Sequence, residues 1–118
     1  MTASTAIRTI QRTLSDAARR LTTLDAEPTP VQDRLVWLHL RQRETVLTSL
    51  VAAAVSLSRA HATAGDAPAA TAALELVEHY RHQLALARRD IRYYQPAHAR
   101  LIQRAAQARH PDTGQSHD

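Results

Sequence analysis

Four side chains in the segment "ELVEHYRH" have the types and spacing of a metal site. Glu75, Glu78, His79 and His82 fall at i, i+3, i+4 and i+7, one helical face on which carboxylates and imidazoles can share a divalent ion. Direction argues against it. Val77, Tyr80 and Leu84 define the apolar stripe of the same segment, which turns Glu75, Glu78 and His82 toward solvent, whereas bundle-core ligands project inward. The segment reads as a solvated polar face, and no cofactor is expected. Ser49, Ser56 and Ser58 lie in apolar sequence with no assigned base. Gly65 and Gly114 are too few and too far apart to cradle a phosphate.

A second arrangement is "RLVWLH", in which Arg34 and His39 are separated by four residues. Over these six residues the chain resembles the Arg-x4-6-His motif of the HEPN ribonucleases, all-helical proteins in which the arginine and histidine converge, usually across a dimer, to cleave RNA. That motif usually carries a polar residue directly after the arginine, and Leu35 stands there. Pairs of this spacing also occur at Arg92 with His98 and at Arg104 with His110. That is the number, about three, that random placement of this many arginines and histidines supplies. The chain is therefore expected not to be an enzyme.

The third arrangement is basic. In "RRDIRYYQPAHARLIQR" and its flanks, from Arg81 to Arg109, seven arginines face one acid, Asp90. Arg81, Arg88 and Arg92 recur at i, i+7 and i+11 with Arg89 beside them, a stripe able to neutralise several phosphates. With Tyr93, Arg100 and Arg104 these are the candidate nucleic-acid contacts. The absence of lysine and asparagine beside abundant alanine looks like the codon usage of a GC-rich genome, so arginine in place of lysine says little about phosphate recognition. Neither is there a helix-turn-helix pattern to read bases. The net charge of +4 and pI near 10.6 favour acidic partners without naming one.

These residues need elements to position them. The chain has 118 residues, enough for one domain with a modest core. β-Branched and aromatic residues are scarce and hairpin turn residues are missing, so helix is the default. Ile7, Ile10, Leu14, Ala17, Leu21 and Leu24 recur at alternating spacings of three and four, predicting a helix from about Thr5 to Leu24. "AEPTP" ends it. Thr29 as N-cap, Pro30 at the first helical position and Gln32 completing a capping box predict a second helix from Pro30 to Thr63. Its stripe through Val36, Leu40, Leu47, Leu50, Ala54 and Leu57 is broadened by Leu35, Leu38, Val46, Val51 and Val55, as for a helix touching two neighbours. "TAGDAP" predicts a tight helical hairpin with Gly65 just past one helix and Asp66 capping the next.

The third helix keeps one register from Ala70 through Val77, Tyr80, Leu84, Ala87, Ile91 and Tyr94 to Leu101, Ala105 and Ala108, across Pro96. The expected fold is all-α: an antiparallel helical bundle of three long helices, the last kinked or split at Pro96, with a short fourth helix if it splits. Residues 1–110 form a single helical domain and residues 111–118 a disordered tail. No cysteine is present, so redox usage does not report the compartment; no secretory leader and no apolar run near the roughly 20 residues of a membrane span point to a cytoplasmic protein with no membrane partner. Since the third helix would outrun the first, its seam at Ile91, Tyr94, Leu101 and Ile102 calls for a partner: a second copy or another helical protein. The expected function is a non-enzymatic protein–protein interaction or oligomerisation module, with a small basic nucleic-acid-binding protein as the alternative.

Overall fold

A computed structural model describes residues 3–27 and 33–109, with the side chains of Ala3 and of residues 33, 34, 95–99, 101, 102 and 109 outside that description. Among the described residues the chain is three helices without a strand: α1 (Ala3–Ala26), α2 (Asp33–Thr63) and α3 (Ala67–Arg109). Thr29, Pro30 and Gln32, the anticipated cap of α2, lie outside the described residues, and α2 is assigned from Asp33. Its end at Thr63 is where the sequence places it.

The turn between α2 and α3 is specified residue by residue. Gly65 adopts φ 79°, where a side chain is strained but glycine is not. The Gly65 N–H donates to the Ala62 carbonyl at 3.1 Å and the Asp66 N–H to the His61 carbonyl at 2.9 Å, the paired bonds of a Schellman ending. Asp66 then caps α3, its Oδ1 accepting the Ala69 N–H at 3.1 Å while its carbonyl accepts the first helical bond from Ala70. One helix stops and the next starts within three residues.

The small residues beside this turn let the two backbones approach. Ala53, Ala54, Ala70 and Ala73 are buried there, and the buried Ser58 hydroxyl donates across the interface to the Ala70 carbonyl at 3.1 Å. Further along, larger residues fill the space: Leu47 and Leu50 are fully buried in a cluster with Ala17, Leu21, Val46, Leu84 and Ala87. Leu57, Val77 and Ile91 are buried as well. Threonines interrupt the pattern on exposed faces without cost in unpaired hydroxyls. Thr9, Thr13, Thr22 and Thr48 each donate to the carbonyl four residues earlier.

Both α1 and α3 pack on α2, but their backbones do not meet. This arrangement corrects one expectation. Ile7, Ile10 and Leu14 follow the predicted stripe but are only half-buried, Leu14, an expected core residue, packing against the edge of the leucine cluster instead of within it. Likewise Leu35 and Leu38, read as widening the apolar face of α2, are each 45% exposed.

Helical backbone runs uninterrupted across Pro96, although that residue cannot bond to the Arg92 carbonyl. At 1.5 Å per residue α3 is about 65 Å long, against about 46 Å for α2 and about 36 Å for α1. The molecule is accordingly a rod of 74 × 26 × 22 Å. Among the described residues no helix is long and apolar enough to cross a membrane.

Candidate interaction surface

The polar faces of α3 carry most of the residues singled out above. Arg81, Arg88, Arg89, Arg92, Arg100 and Arg104 are all exposed. Arg88 is nevertheless tied to the bundle. Its Nε lies 3.4 Å from Glu44 Oε2 on α2, and Glu44 Oε1 accepts from Arg41 Nη1 at 2.8 Å. The Arg41 guanidinium in turn lies 5.9 Å from the Trp37 ring centroid. Arg89 Nη2 is 3.7 Å from Asp90 Oδ1. Arg81, Arg92, Arg100 and Arg104 form no ion pair among the described residues.

The adjacent tyrosines separate as the register requires. Tyr93 is 78% exposed, whereas Tyr94 is half-buried, and their rings meet edge to face with centroids 5.1 Å apart. Tyr94 lines a groove with Val36, His39 and Leu40 of α2 and Asp25 of α1. Across that end of the bundle Arg43 Nε donates to Asp25 Oδ1 at 2.9 Å, joining α1 to α2.

The anticipated seam is divided by the same geometry. Ile91 is only 6% exposed within the single chain, so no partner is needed to cover it. The Leu101 and Ile102 side chains lie outside the described residues. Beyond them, Gln103 to Ala108 are exposed on every side, including Ala105 and Ala108 at core-register positions.

Glu75, Glu78, His79 and His82 are exposed, and among the described residues no three His, Asp or Glu side chains gather to hold a metal. His79 Nε2 is 3.1 Å from Gln83 Nε2, the neighbouring position one turn on. His39 Nδ1 sits 3.7 Å from Glu27 Oε2 at the α1–α2 junction, and the side chain of Arg34 falls outside the described residues. Ser49 and Ser58 both donate to backbone carbonyls.

Two features escaped the sequence reading. The Glu44–Arg88 bridge links positions far apart in the chain, and only the Arg41–Glu44 spacing hinted that Glu44 was engaged. Leu86, 38% exposed, stands on the outer face of α3, away from the core. Its spacing to Tyr93, two helical turns, was the available signal.

No family model matches the chain, and no curated protein or solved structure is similar to it.

Proposed function

We propose that this protein is a non-enzymatic helical module, cytoplasmic, that works by associating with a second copy of itself or with another helical protein. The reading rests on one observation: α3 extends its core register past the end of α2, leaving Ala105 and Ala108 exposed at positions that Ala87 and Ile91 occupy in the core. Continuing a heptad-like register without a neighbour gains nothing in an isolated chain. A partner helix laid there would bury it. Tyr94 remains in the proposed seam with Leu101 and Ile102. Ile91 serves the chain's own core.

The test is a solution mass at micromolar concentration, expected to be at least that of a dimer. A monomer at all concentrations, with no bound helical partner, overturns the reading.

A basic nucleic-acid-binding protein is the second reading, favoured by the exposure of Tyr93 directly after Arg92 and one turn beyond Arg89. Here a DNA titration at two salt concentrations decides. A complex weakening steeply with salt and lost on reversing Arg88, Arg89 and Arg92 to glutamate would establish this reading. Tyr93→Ala would then cost single-strand binding about 1 to 3 kcal/mol.

A further inference from the structure

The outer face of α3 has a second seam. Glu75, His79, His82, Leu86, Arg89 and Tyr93 follow alternating intervals of four and three, the spacing by which one helix lies along another, and all six are exposed. Arg100 and Arg104 extend the same face. At its centre are two of the large apolar residues that the fold leaves uncovered, Leu86 and Tyr93.

Charge along α3 is distributed unevenly. Residues 67–80 contain Glu75 and Glu78 and no arginine, whereas residues 81–109 contain seven arginines and one acid. A parallel copy would set arginine against arginine. An antiparallel copy sets the acidic third against the basic end.

We propose that two copies of this chain pair antiparallel along the outer face of α3, about a two-fold axis passing between residues 89 and 90. The proposal rests on the self-association reading, names a second copy as the partner, and moves the surface from the Tyr94, Leu101 and Ile102 seam to the outer face of α3. In this register Leu86 packs on Tyr93 of the second copy and Glu75 meets Arg104, each contact occurring twice as an isologous interface requires. The axis falls close to the midpoint of Ala67–Arg109, so the two helices overlap along nearly their whole length. The end of α3 that outruns α2 thereby lies beside the first turns of α3 in the second copy. Arg89, the arginine nearest the axis, is held beside Asp90 of its own chain at 3.7 Å.

The experiment uses the full chain. Glu75→Arg and Arg104→Glu are each expected to weaken self-association about tenfold, and the double variant to restore it, because both ion pairs re-form with reversed sign. The chain has no cysteine, so Leu86→Cys mixed with Tyr93→Cys should give a disulfide-linked dimer on oxidation, whereas each variant alone should not. All four positions are exposed, and circular dichroism should report an unchanged helical fold. A dimer with neither the mixed cross-link nor the recovery in the double variant overturns this pairing while leaving self-association standing. A folded wild-type chain that stays monomeric overturns both.

Discussion

At one end of the hairpin, residues 53–73, closure is made by backbone and small side chains: the Gly65 turn, the Asp66 cap, four buried alanines and the Ser58 bond to Ala70. At the other end the same two helices are joined by a long polar pair, Arg88 to Glu44, with Arg43 to Asp25 tying α1 to α2, and α3 then continues with every described side chain from Gln103 to Ala108 in solvent. The first kind of closure depends on positions where little other than the native residue fits. The second is assembled from ion pairs at the edge of solvent, each worth about 1 kcal/mol or less. Stability is thus concentrated toward the hairpin and the leucine cluster beside it, which leaves the distal half of α3 free to change for the sake of binding.

Three substitutions would break or sharpen this contrast. Leu50→Ala should be the most damaging, costing about 2 to 5 kcal/mol in denaturant unfolding, since it opens a cavity among residues of all three helices. A loss under half a kcal/mol would mean that the cluster is not where the fold is held. Next is Gly65→Ala, expected to cost about 1 to 2 kcal/mol because the backbone must keep a left-handed conformation. The space itself is open, with nothing within 4 Å of the added methyl, so the penalty isolates backbone conformation from crowding. Smallest is Arg104→Ala, which should shift stability by less than about 0.5 kcal/mol. A large effect there would show that the far end of α3 carries part of the fold.

Much of the architecture was legible because its determinants are local. Gly65 and Asp66 identify the turn by their own conformational and capping preferences, and Ala70, Ala73, Val77, Leu84, Ala87 and Ile91 keep a register that the burial pattern repeats. Contacts between distant segments were not legible. Periodicity marks the apolar side of α1 but not how far α3 stands from it, so Leu14 was expected in the core and is half-buried. The same limit applies to the surface. That Arg88 belongs to Glu44, while Arg92 has no such acid among the described residues, depends on which turn of α2 lies opposite.

Because the backbones of α1 and α3 each pack on α2 but not on one another, the three helices are not equivalent in how they come apart. The backbone contacts between α2 and α3 survive if α1 lifts away, whereas without α2 neither of the other two keeps a neighbouring backbone. Opening of α1 is therefore the low-energy fluctuation of the molecule, a unit that unlatches while the hairpin stays shut. In amide exchange it would lose its protons first, from its N-terminal half inward, where Ile7 and Ile10 are only half-buried.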